Sequence, residues 1–120
     1  YDALFSKDVI MLNTRIGAVK DSISIAEIKL MDQEGWDLYD FEILGEIYLL
    51  PGVNTETKKA DGSVRYYGTW RTTKAATDST EAIKTDVRLY ESFDFDEDGK
   101  ILYQQFYGDL TASSNILEGK

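Results

Sequence analysis

The groups able to do chemistry in this chain are few, and the best placed lie in Thr85–Asp109, TDVRLYESFDFDEDGKILYQQFYGD. The chain holds no histidine and no cysteine. That excludes a Ser-His-Asp triad, a histidine base, thiolate chemistry and histidine- or cysteine-ligated metals. Proton transfer falls to Asp, Glu, Tyr or Lys, and a carboxylate working near neutral pH needs its pKa raised by burial. Glu91 is the acid whose position allows this. Val87, Leu89, Glu91, Phe93 and Phe95 share one parity, while Asp86, Arg88, Tyr90, Ser92 and Asp94 share the other. Such alternation predicts a half-buried strand. Between Leu89 and Phe93 on an inward face, Glu91 would be partly desolvated and could act as a general base or hydrogen-bond donor. At the solvated mouth of a cavity it would be an ordinary surface acid.

Asp94-Phe95-Asp96-Glu97-Asp98-Gly99, with Ile101 beyond it, also spells the start of an EF-hand calcium loop. That loop needs a bidentate Glu at its twelfth position and a helix on each side. The twelfth position is Gln105, and both flanks have strand periodicity. The segment therefore reads as an acidic hairpin turn, with Asp98-Gly99 supplying positive-φ positions and the carboxylates keeping the end unpaired. No metal and no cofactor is expected.

The second arm, Ile101–Leu110, places Leu102, Gln104, Phe106 and Leu110 on one face. Counting outward from Glu97-Asp98 sets Glu91 opposite Gln104, and opposed residues in an antiparallel pair point to the same side. In Val64–Thr73, Tyr66 and Trp70 share a parity with Gly68, which marks a bulge, a bend or a close approach. Tyr66, Trp70, Phe93, Gln104 and Phe106 are the candidate ligand-binding set around Glu91. They would line an aromatic cavity with a few polar points or fill an aromatic core.

The elements that must position these residues follow from the rest of the chain. Its 120 residues imply one domain, residues 1–120, and 42% hydrophobic content suits an ordinary core. With 13 basic and 22 acidic residues the formal net charge is −9, which argues against nucleic acid and anionic membranes as partners. No run is long enough to span a bilayer. Tyr1–Asp8 reads as the end of a helix that began earlier. The chain opens without Met, so the expected compartment is cytoplasmic by default with export left open. Val9–Ile16 reads as the first strand. Ser24–Glu34 is a helix with a Ser24/Glu27 capping box, ended by Gly35. Trp36–Leu50 leads into a long strand apolar on both faces and stopped by Pro51-Gly52. Ala112–Lys120 reads as a polar tail. The order predicts an α+β domain with helices on one face of a strongly bent antiparallel sheet.

The ordered set, from YDALFSKDVIML through Gly17 and the Ser24 helix to Gly99-Lys100-Ile101 and Tyr107-Gly108-Asp109, resembles the nuclear transport factor 2-like fold, nearest its SnoaL-like group. That group also holds polyketide cyclases, ketosteroid isomerase and limonene epoxide hydrolase. The resemblance implies a cone-like barrel, a curved sheet wrapped around helices, with a deep pocket at its open end. It also implies homodimers through the outer sheet face, for which Tyr103, Tyr107 and the two-sided apolarity of Phe41–Leu50 give sequence support. Enzymes of this fold commonly carry an Asp or His inside the cone. Here the pocket-facing positions of the last strand are Gln104 and Phe106. Asp109 matches the family's Asp near the strand end but falls on the opposite parity. The acid–base set is therefore not matched residue by residue. Three functions stay open: binding of a small hydrophobic molecule, acid–base catalysis by Glu91 on a hydrophobic carbonyl compound or epoxide, and a dimerisation module with a filled cone.

Overall fold

Ser24 starts the longest helix, α1 (Ile25–Leu38), through a reciprocal cap. Its Oγ accepts from the Glu27 amide at 3.4 Å, and Glu27 Oε2 accepts from the Ser24 amide at 2.9 Å. The computed structural model describes residues 1–14, 16–17 and 22–120. Its strands are β1 (Phe5–Leu12), β2 (Ser22–Ile23), β3 (Asp40–Val53), β4 (Ala60–Lys74), β5 (Ile83–Phe95) and β6 (Ile101–Tyr107), and α2 (Leu110–Glu118) ends the chain. The architecture is α+β: a six-stranded, curved, open sheet in the order β2-β1-β6-β5-β4-β3, with two helices. Neighbours are antiparallel except β1 and β6, which run parallel.

Helix α1 closes one end of the inner face. Ile28, 1% exposed, packs among Val9, Met11 and Ile23, with Phe5, Ile25, Ile101 and Phe106 around them. The β5–β6 hairpin forms as expected, so the acidic segment is flanked by strands and not by EF-hand helices. Gly99 takes the positive φ, +75°.

Several expected boundaries move. Tyr1–Asp8 is not a helix end: the amides of Leu4 and Phe5 donate to Tyr1 O in one turn, and β1 starts at Phe5. An irregularity between Phe5 and Ile10 breaks the parity, so Ser6, Val9 and Met11 are all buried. β1 ends at Leu12, short of the expected Ile16, and Arg15 of that segment lies outside the described residues. Gly35 does not stop α1. Tyr39 donates to Gly35 O at 2.8 Å, the helix runs on to Leu38, and the Phe41 ring covers Gly35. Pro51-Gly52 does not stop β3 either. β3 is an edge strand, where proline is tolerated, and Gly52 lets Ser63 approach closely.

The tail is α2. Asp109 is its N-cap, accepting from the Ala112 amide at 3.3 Å, and Gly119 ends it in the left-handed conformation at φ +77°. Gly108 makes the reversal from β6 possible, since a Cβ there would sit 3.0 Å from both Leu89 Cδ1 and Val87 Cγ1. Helix α2 then docks on the inner face of β5, with Thr85 Oγ1 and Ser113 Oγ 2.6 Å apart and Leu117 buried. Asp109→Ala is expected to lower stability by about 1 kcal/mol. Chemical denaturation of the two proteins checks this, with a shifted midpoint and an unchanged slope.

Candidate functional site

Three adjacent strands bring all six candidate residues to one face. Across β4 and β5, Tyr66 faces Glu91, Trp70 faces Val87 and Val64 faces Phe93. Across β5 and β6, Glu91 faces Phe106 and Phe93 faces Gln104. The expected direct pairing of Glu91 with Gln104 is therefore displaced by one step along the face. The loop Asp96–Lys100 and a register shift between Asp94 and Phe95 make the turn longer than a two-residue one. The two side chains still meet diagonally: Gln104 Nε2 donates to Glu91 Oε1 at 3.0 Å.

The polarity here is unusual for a sheet interior. Gln104 is 9% exposed, and among the described residues its buried Oε1 has no hydrogen-bond partner. Burial raises the pKa of Glu91, and the Gln104 hydrogen bond offsets part of that rise. Among the described residues no cationic group pairs with Glu91.

Tyr66 and Trp70 act as a unit. Trp70 Nε1 donates to Tyr66 Oη at 2.9 Å, so the phenol keeps its own proton to donate elsewhere. The Tyr66 ring lies along its strand directly over Gly68: a Cβ at that position would be 2.8 Å from Tyr66 Cζ. Gly68 is thus a close approach, and the β4–β5 register runs through it unbroken. Toward the sheet edge, Leu49 faces Tyr66 and Ile43 faces Trp70. They are 61% and 45% exposed, so an apolar strip lies open beside the site.

Among the described residues, Glu91, Gln104, Tyr66 and Trp70 lie outside three clefts that open elsewhere on the surface. One, of about 300 Å³, lies on the opposite, convex face. There Tyr48, Tyr67, Tyr90 and Tyr107 form a row across four strands, with Arg88 and Glu46 beside it. Ring centroids are 5.2 Å apart for Tyr67–Tyr90 and 6.1 Å for Tyr90–Tyr107. Sequence parity put Tyr107 outward but missed the row, whose other members are visible only once four strands are in register. A cleft of about 590 Å³ lies where Phe5, Lys29 and the acidic turn meet. A third, of about 340 Å³, runs between Asp61, Arg65 and Tyr103.

The acidic turn does not gather its carboxylates. Asp96 Oδ1 accepts from the amides of Asp98 and Lys100, each at 2.9 Å, so it braces the turn. Among the described residues no three Asp or Glu side chains are grouped to hold a metal ion. No helix of the described residues is long and apolar enough to cross a membrane.

This sheet, its two helices and its inner face define the SnoaL-like, nuclear transport factor 2-like fold. A candidate polyketide cyclase from Xanthomonas campestris pv. campestris superimposes with a TM-score of 0.69 at 16% identity, over 96% of this chain and 80% of that one. A candidate SnoaL-like polyketide cyclase from Mesorhizobium loti, also described as a carbohydrate phosphatase, gives 0.56 at 16% identity, over 88% of this chain and 80% of that one. The chain matches no family model and no curated protein.

Proposed function

We propose that the inner face of β4–β6 binds a small, mostly hydrophobic molecule whose polar end meets Glu91 and Gln104. The observation that carries this is the buried, unpartnered Gln104 Oε1 beside a half-buried carboxylate. Leaving such an acceptor unsatisfied costs about 1–3 kcal/mol, which a ligand hydroxyl or N–H would offset. Phe93, Phe106, Tyr66 and Trp70 supply apolar contact around it, and Ile43 and Leu49 extend that surface. The fold shared with two candidate polyketide cyclases supports a small-molecule role without specifying a ligand.

Calorimetric titration with naphthalenemethanol, a neutral apolar probe with one hydroxyl, tests the reading. Wild type should bind, and Gln104→Leu should bind about tenfold more weakly, the value of one well-made hydrogen bond. Equal binding by both proteins would remove Gln104 from the site. A catalytic reading draws on the same carboxylate, whose burial raises its pKa in the direction a general base needs. On that reading Glu91→Gln abolishes turnover of an enolisable ketone and leaves folding intact.

We infer also that two copies meet through the convex face. The tyrosine row supports it: Tyr48, Tyr67 and Tyr107 are all exposed there, and Leu50 lies exposed on the same side. A stable contact of this kind needs about 1,200–2,000 Å² in total. Sedimentation should give a dimer for wild type and a monomer for Tyr67→Arg. A wild-type monomer at micromolar concentration would overturn this assignment.

A further inference from the structure

The polarity of the inner face is lopsided, and that points to a ligand class. This inference rests on the small-molecule reading above. At the site Glu91 Oε1 takes one hydrogen bond, from Gln104 Nε2. Among the described residues Glu91 makes no other hydrogen bond and no ion pair. Gln104 Oε1 is buried without a hydrogen-bond partner among the described residues. The Tyr66 oxygen accepts from the Trp70 indole N–H, and its own proton remains a side-chain donor beside these acceptors. The unused polar capacity here is therefore mostly acceptor, a carboxylate and a carboxamide oxygen with one negative charge, and among the described residues no cation balances it.

The amide orientation is fixed by the same contact. Turning Gln104 over would set its oxygen against the Glu91 carboxylate, so with Glu91 ionised the free oxygen is the one facing away. Around these acceptors stand Phe93 and Phe106, one residue across the ladder from Gln104 and Glu91, and Tyr66 directly opposite Glu91. Aromatic faces attract cations and repel anions.

We propose that the inner face selects a protonated primary amine carried on an aromatic or aliphatic body. The ammonium donates to the Glu91 carboxylate and to Gln104 Oε1, and its apolar body lies on the Tyr66 and Phe106 side. An ammonium has three donor hydrogens and can satisfy both acceptors while neutralising Glu91. An alcohol has one donor hydrogen and leaves one acceptor orphaned and the charge uncompensated. A carboxylate ligand would meet like charge. The desolvation that raises the pKa of Glu91 also strengthens its attraction to a cation that shares the site.

The test is a matched pair of probes, naphthylmethylamine, which is protonated at neutral pH, and naphthalenemethanol, which has the same shape without the charge. Each is titrated into wild type and into Glu91→Gln at moderate salt, with binding read by calorimetry and by the Trp70 indole N–H resonance. Wild type is expected to prefer the amine by about tenfold or more, and Glu91→Gln is expected to bring the two probes level. A preference for the amine that survives in Glu91→Gln would trace to the chain's overall negative charge and overturn the proposal. Equal binding of both probes to wild type would also overturn it, while leaving the small-molecule reading standing. Binding of neither probe would remove both.

Discussion

Gly68→Ala is expected to melt several degrees below the parent protein and to lose most of its affinity for naphthalenemethanol. The added methyl would sit 2.8 Å from Tyr66 Cζ, inside any real carbon contact, 3.1 Å from Cε1, tighter than most, and closer still to the phenol oxygen. Tyr66 is 7% exposed, so its ring has little room to swing aside. Overpacking of this kind costs about 1–3 kcal/mol, and about 1 kcal/mol moves the midpoint of a domain this size by several degrees. A displaced ring also breaks the Trp70 Nε1–Tyr66 Oη hydrogen bond, which holds both aromatics in place beside Glu91. Thermal unfolding and the position of the Trp70 indole N–H resonance check it together. Unchanged melting with an unmoved resonance would mean that Tyr66 does not lie over Gly68.

Glu91→Gln should do the opposite to stability while impairing amine binding. Burial raises the Glu91 pKa above its unfolded value. Between those two values the folded chain holds more protons than the unfolded one, so stability falls as pH rises. Below the ordinary carboxylate range Glu91 is neutral in both states and its burial costs little. Above the raised folded value it is ionised in both, and the desolvation penalty is fully present. The mutant should therefore be more stable than wild type at neutral pH, with the gap closing on acidification. Asp61 and Asp86 have lowered pKa values, from hydrogen bonds to Ser63 and Arg71 respectively, and drive stability the other way. Both proteins carry them, so the difference between the two unfolding curves isolates Glu91. A gap of the opposite sign, or one that ignores pH, would contradict the burial of Glu91.

The hairpin and the shared face of the site were legible because side-chain parity survives an error in turn length. The shift by one step along the ladder left Glu91 and Gln104 on the same side. Parity failed in β1, where the break between Phe5 and Ile10 buries Ser6 as well as Val9 and Met11. Helix α2 was hidden by its polar, small-residue composition. Its signals were Asp109 as N-cap, Leu110, Ser113 and Leu117 at helical spacing, and Gly119 as stop. A close approach was one of three readings of Gly68, but that Tyr66 makes it, the Trp70–Tyr66 hydrogen bond and the orphaned Gln104 oxygen had no sequence signal, because each depends on where side chains lie once three strands are paired.

On the proposed function the inner face, not the tyrosine row on the convex face, receives the ligand. Mapping resonance shifts on titration with naphthalenemethanol tests this most directly. The account predicts that the Gln104 side-chain amide, the Trp70 indole N–H and the backbone amides of Glu91 and Phe106 move together and saturate with one affinity. Shifts confined to Tyr48, Tyr67, Tyr90 and Tyr107, with Gln104 and Trp70 unmoved, would contradict it.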